Sequence, residues 1–186
     1  AAGRGVLVVI NDDIHGARGM TKTSTTDVQT FVSAERGVIG ATLYGKNRYF
    51  RTPYRIHTAD SKFSVEGIEA LPRVDVIYIS AGVSPDLIDA AVASGAKGLV
   101  TAGVGNGNMT AGAIAALVRA REEGVAVVRS TRVTSGTVGR NVEVDDDSLG
   151  TVASGELNPA QSRVLLKLAL MKTNDPAQLQ AYFDKY

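Results

Sequence analysis

Cysteine is absent from the 186 residues, so the chain has neither a disulfide framework nor a thiolate metal site, and nothing about redox compartment follows. Long apolar runs are absent too. Runs such as VLVVI at 6–10 and VIYI at 76–79 fall far short of the roughly 20 residues that a membrane helix needs, so the chain is not expected to enter a membrane. There is no excess of positive charge either: 20 Lys and Arg against 19 Asp and Glu leave a formal charge of +1 and no basic face for nucleic acid. The opening AAGRG holds no methionine and no signal-type apolar segment, which suggests a removed leader or a piece of something longer.

What is present describes a globular chain. Apolar residues make up 44% and charged residues 21%, a balance that supports a packed core, and the length suits one domain or one domain plus part of another. Val6–Ile10 has no polar face and ends at Asn11-Asp12-Asp13, as expected of a parallel strand buried from above and below. No parallel partner or crossover helix can be found for it up to residue 60, so the chain is expected to begin inside a domain. Residues 37–52 read as a hairpin turning at Gly45-Lys46-Asn47, and residues 52–73 as a linker with a short helical turn over 65–71.

Beyond the linker the pattern is regular. Strand 75–80, helix 85–94, strand 98–102, helix 110–123 and strand 125–129 form a βαβαβ series, with Gly95 and Gly124 where helices should stop. A polar loop over 130–148 follows. Asn158 then caps a helix running from Pro159 to Lys172, with Val164, Leu165, Leu168 and Met171 on one stripe, and a last short helix starts at Asp175-Pro176. The expected class is α/β: residues 1–51 as the end of an N-terminal α/β domain, 52–73 as linker, and 74–186 as a smaller domain with a parallel sheet flanked by helices.

The glycine turn GVGNGN at 103–108 sits between a strand and a helix, where a dinucleotide fingerprint would lie. Asn108 stands where the third glycine belongs, and the next strand ends in Arg129-Ser130 rather than an acid; no phosphate-loop pattern exists elsewhere. What remains is a turn at the carboxyl end of a parallel strand, presenting Asn106 and Asn108. Their carboxamides could read a small polar ligand, or the residues could simply populate a turn with positive φ.

Three further features carry chemistry or its imitation. Lys22 lies among hydroxyls in TKTSTT, where it could relay the proton of a hydroxyl nucleophile, or be a solvated surface lysine. Glu143 and the run Asp145–Asp147 lack the spacing of a calcium loop and read as a solvated acidic loop. His15 and His57 are 42 residues apart with no ligand partner one helical turn away, and are read as structural.

The stretches GVLVVINDDIHGARGMTKTSTTDVQTF, LPRVDVIYISAG, GAKGLVTAGVGNGN, VVRSTRVTSG, VEVDD and SGELNPAQSRVLLKLAL resemble, in order and over nearly the whole length, bacterial type II L-asparaginases and the closely similar glutaminase-asparaginases. The resemblance implies the end of a large N-terminal domain, a linker and all of a smaller C-terminal α/β domain. It also implies that the T-G-G-T segment with the nucleophilic threonine, the lid tyrosine and the Thr-Asp pair have no counterpart here.

By the same resemblance, Lys22 matches the lysine that supports the threonine chemistry. Asn108 matches a position that contacts substrate in the neighbouring subunit, and Glu143 matches its companion, which meets the substrate amino group. The implied reaction is hydrolysis of asparagine to aspartate and ammonia through an acyl-enzyme, with glutamine as a side substrate and no metal or organic cofactor. The implied ligands are L-asparagine or L-aspartate. The implied assembly is a homotetramer built as a dimer of dimers, periplasmic or secreted, with a separate N-terminal fragment as a further partner. The chain alone would be inactive. The competing expectation is a non-catalytic α/β small-ligand-binding or interaction module.

Overall fold

The first apolar run turns straight back on itself. In the computed structural model, which describes residues 1–186, β1 (Leu7–Ile10) pairs antiparallel with β2 (Asp13–Gly16), register Ile10 to Asp13. The two residues between them, Asn11 and Asp12, have φ of 51° and 64°. Consecutive positive φ is the turn that matches the twist of a hairpin, and Asn and Asp tolerate it best. The expectation of a parallel strand buried on both faces is therefore wrong. Val6 and Val9 are 68% and 58% exposed, because an antiparallel sheet can leave one face open.

The chain divides into two compact units, residues 1–62 with Tyr186 and residues 63–185. In the first, β5 (Gly40–Leu43) and β6 (Lys46–Tyr49) extend the opening hairpin to a four-stranded antiparallel sheet in the order β1-β2-β5-β6. The second turn is Tyr44-Gly45, φ 52° and 72°, one residue earlier than expected, so Lys46 and Asn47 belong to the returning strand. A separate small ladder joins β3 (Thr21–Lys22) to β4 (Phe31–Val32). Ile14 and Ile39 are the only large apolar side chains buried in this unit, and its only helical element is a 3₁₀ turn over Thr58–Asp60.

The second unit carries the parallel sheet. β7 (Val74–Tyr78), β8 (Gly98–Gly103), β9 (Ala126–Thr131) and β10 (Val152–Ala153) lie side by side in sequence order, all parallel. The helical turn expected over 65–71 does not form. Gly67 adopts φ 73° there, which a helix cannot continue through. The short β10 lies in a stretch for which no strand was expected, since two residues carry no readable periodicity.

On one face of this sheet, α1 (Asp86–Ala93) and α2 (Ala111–Glu122) cover Ile77, Ile79, Leu99 and Val127. Ala113, Ala116 and Ala120 keep α2 slim enough to lie close. On the other face, α4 (Pro159–Ala169) packs so tightly that a Cβ on Gly98 would lie 2.8 Å from Leu166 Cδ2 and 3.2 Å from Val74 Cγ2. Its start is fixed by a capping box: Asn158 Oδ1 accepts from Gln161 N at 2.9 Å and Gln161 Oε1 from Asn158 N at 3.2 Å. The buried stripe is Ser162, Leu165, Leu166 and Ala169, while Val164 and Met171 are exposed, so the helix is rotated from the expected face. The last helix, α5 (Pro176–Lys185), guards the sheet edge. Buried Gln180 accepts from Ala153 N and donates to Ala153 O, standing in for the strand that β10 lacks.

Candidate functional site

Two loops leave the carboxyl ends of the adjacent parallel strands β8 and β9, the position where open α/β sheets gather ligands. The first is the glycine turn. Val104 and Asn108 exchange both backbone hydrogen bonds, at 2.9 and 2.7 Å, so Gly105-Asn106-Gly107 form the tip of a miniature hairpin. Gly103 and Gly107 are required by proximity: a Cβ on Gly103 would lie 2.6 Å from the Gly107 backbone. A Cβ on Gly107, whose φ is 78°, would lie 3.1 Å from both Arg129 Nη1 and Val138 Cγ1. The glycines thus serve packing against a buried guanidinium, and no phosphate cradle is formed.

The two asparagines of that turn part company. Asn106 faces inward, its Oδ1 accepting from Gly139 N at 2.8 Å. Asn108 is exposed. Glu143 is exposed as well, on an arch of residues 142–144 with both ends anchored. At one end Asn141, φ 56°, donates its N–H to Asp146 at 2.9 Å and its Nδ2 to Asp147 at 2.8 Å. At the other, Asp145 caps the short helix α3 (Asp146–Leu149), accepting from Ser148 N at 3.0 Å and Ser148 Oγ at 2.6 Å. Residues 141–145, 147 and 148 line an open concavity of about 580 Å³.

Both loops converge on one ion pair that sequence reasoning missed. Arg129 and Asp146 are 0% exposed, and Arg129 Nε and Nη2 donate to the two carboxylate oxygens at 2.6 Å each. The same guanidinium reaches Gly139 O at 3.1 Å and Asn106 O at 3.4 Å. Asp146 also accepts from Thr151 Oγ1 at 2.6 Å. The expectation of a solvated acidic loop fails at Asp146: this middle member is buried and paired, whereas Asp145 is a cap and Asp147 pairs with Arg140. A signal was available. Arg129 ends the otherwise apolar core of a central strand, and an arginine buried there must find a counter-charge.

The electrostatics follow from these contacts. Burial pushes the Asp146 carboxyl up, but the hydrogen bonds from Arg129, Thr151 and Asn141 outweigh it and hold the group below the ordinary carboxylate range. A carboxylate depressed in the folded state stabilises fully above its unfolded pKa, about 3.9, and that stabilisation is lost as pH falls through the folded value. Unfolding of this chain by urea should therefore become easier below pH about 4. Asp146→Asn should flatten that acid limb while lowering stability at neutral pH by about 3–5 kcal/mol, because Arg129 is left buried and unpaired. An unchanged acid limb in the variant would assign the acid sensitivity to other carboxylates.

Lys22 lies in the first unit, exposed, on β3 opposite Phe31. The hydroxyls around it close the 23–30 loop: Thr23 Oγ1 donates to Thr30 O at 2.8 Å, and Thr30 Oγ1 accepts from Ser24 N at 2.8 Å. His15 is buried with Nδ1 2.8 Å from Ser33 Oγ, and His57 packs on Gly5.

Family models match both parts of the chain: the one described as Glutaminase/Asparaginase C-terminal domain covers residues 73–183, and the one described as Asparaginase, N-terminal covers residues 1–55. The chain belongs to the asparaginase/glutaminase family. Among its asparaginase relatives, L-asparaginase 2 of Escherichia coli is 48% identical over 186 residues, covering 100% of this chain and 53% of the relative. A probable periplasmic L-asparaginase of Haemophilus influenzae is 46% identical with the same coverage, and the glutaminase-asparaginase of Acinetobacter glutaminasificans is 39% identical over 189 residues, 57% of its length. The chain spans about half the length of the curated asparaginases it matches. No helix is long and apolar enough to cross a membrane.

Proposed function

We propose that this chain supplies the C-terminal half of an L-asparaginase protomer, which hydrolyses asparagine to aspartate and ammonia once an N-terminal half carrying the nucleophile is joined to it. The observation that carries the reading is the 48% identity to an L-asparaginase over every residue of the chain. Residues 52–73 are read as the linker between the end of the N-terminal domain and the C-terminal domain, and a periplasmic or secreted location is read from the relative named periplasmic.

Lys22 moves protons at the attacking hydroxyl of its own protomer, and Asn108 and Glu143 hold the zwitterionic end of a substrate bound to a neighbouring one. The chemistry suits the residue types. A free amino acid carries an ammonium beside its carboxylate, so a site needs a fixed anion for the first, and Glu143 is the exposed carboxylate of the anchored arch. A carboxamide such as that of Asn108 offers both donor and acceptor to the rest. Asn108 and Glu143 serve the active site of a neighbouring subunit, in a tetramer of two dimers.

Ammonia release from L-asparagine tests the reading. The chain alone should give none above background, and the same chain folded with its N-terminal half should give turnover. A completed, folded protomer without turnover would overturn it in favour of a ligand-binding module.

A further inference from the structure

We propose that the buried Arg129–Asp146 pair is a positioning device that couples the 103–108 turn to the 139–148 loop, and so sets the spacing of Asn108 and Glu143 that recognises the amino-acid end of the substrate. The role assigned to those two residues rests on the functional reading above; the coupling itself rests on geometry alone.

Neither member of the pair can touch a ligand, since both are 0% exposed. Their reach is what matters. One planar guanidinium bonds at once to a carbonyl of the glycine turn, Asn106 O, to a carbonyl at the start of the second loop, Gly139 O, and to both oxygens of Asp146 at that loop's far end. Asp146 in turn grips Asn141 N, immediately before the arch that carries Glu143. Asn106 Oδ1 on Gly139 N closes the circuit from the other side. These bonds tie both loops to one side chain on β9, and Asn106 Oδ1 with Gly139 N joins the loops directly.

Stability alone does not call for this arrangement, because apolar residues of similar volume commonly replace a buried ion pair at no loss. A fork with donors in several fixed directions can hold two loops in register, whereas a lysine ammonium or an apolar side chain cannot. The pair therefore acts through the loops on binding, as a positioning element, and leaves the chemistry at the nucleophile untouched.

The test uses Arg129→Lys and, in case that variant fails to fold, the paired apolar replacement Arg129→Met with Asp146→Leu. In this chain, amide hydrogen exchange at Asn108 and Gly139 should accelerate about tenfold or more in either variant, and at Asn141 in Arg129→Lys, which keeps that amide's acceptor on Asp146, with Val100 and Val128 in the sheet unchanged. In the completed protomer, KM for asparagine should rise about tenfold or more, while kcat changes less than about threefold, since a displaced binding group weakens the ground state first. Three results would overturn the proposal: exchange unchanged at these amides, acceleration spread evenly through the sheet, or KM unchanged in a folded variant. If the completed wild-type protomer turns over no asparagine, the functional reading fails separately, and the exchange result still decides whether the pair couples the loops.

Discussion

Replacing Lys22 with methionine in the completed protomer is expected to lower kcat for asparagine by about 10² or more, the usual scale for losing a positioned acid–base group. Methionine keeps an unbranched stem of similar reach and removes only the ammonium. The hydrogen bonds that close the loop after β3 run between Thr23, Ser24 and Thr30 and do not use that ammonium, so the thermal midpoint should stay within a few degrees. A steady-state assay of ammonia release on a variant shown to be folded decides it. Near-normal turnover would return Lys22 to the solvated surface and remove it from the mechanism.

The second large effect concerns which subunit is served. Glu143→Ala together with Asn108→Ala should abolish detectable binding of asparagine at ordinary concentrations, raising KM far more than it lowers kcat, because an ion pair to the substrate ammonium acts mainly on ground-state binding. Both side chains are exposed and neither anchors its loop, so the fold should tolerate the change. Mixing this variant with one lacking the threonine nucleophile separates two geometries. In an isologous dimer each subunit gives the other what it receives, so a mixed dimer regains one intact site of two if the residues serve the neighbour. Activity should then return upon subunit exchange. Verified exchange with no recovery would place Asn108 and Glu143 in their own subunit's site.

The legible parts of the molecule were those in which local pattern and tertiary demand agree. The βαβαβ series of the second unit declared itself through apolar runs of strand length, helical spacing between them, and Gly95 and Gly124 at φ 88° and 82° just past the helices. The start of α4 was equally plain, since Asn158 is a capping residue type and Pro159, at the first helical position, has no N–H that needs a partner. The first unit was not legible in the same way. An apolar run such as VLVVI looks alike whether one face or both are covered, and the burial of Val9 depends on what lies across the sheet, which no local pattern encodes. The α4 stripe was misjudged for a related reason: Val164 and Leu166 are both apolar, and only the closeness of Gly98 and Val74 selects Leu166 for the interior.

The sequence by itself determined the class of the second unit, the position of the glycine turn at the end of a parallel strand, the exclusion of a dinucleotide fingerprint, and the family, because each depends on residues close together in the chain or on their order. Only the tertiary structure decided which polar residues of the two loops face inward. Asn106 and Asn108 are two residues apart, yet one is bonded to Gly139 N and the other is exposed. Three consecutive aspartates divide into a cap, a buried counter-ion and a surface partner of Arg140. The reason is that burying one guanidinium requires one carboxylate at bonding distance, and which aspartate meets that need is set by how β9 and the loop after it come together in space.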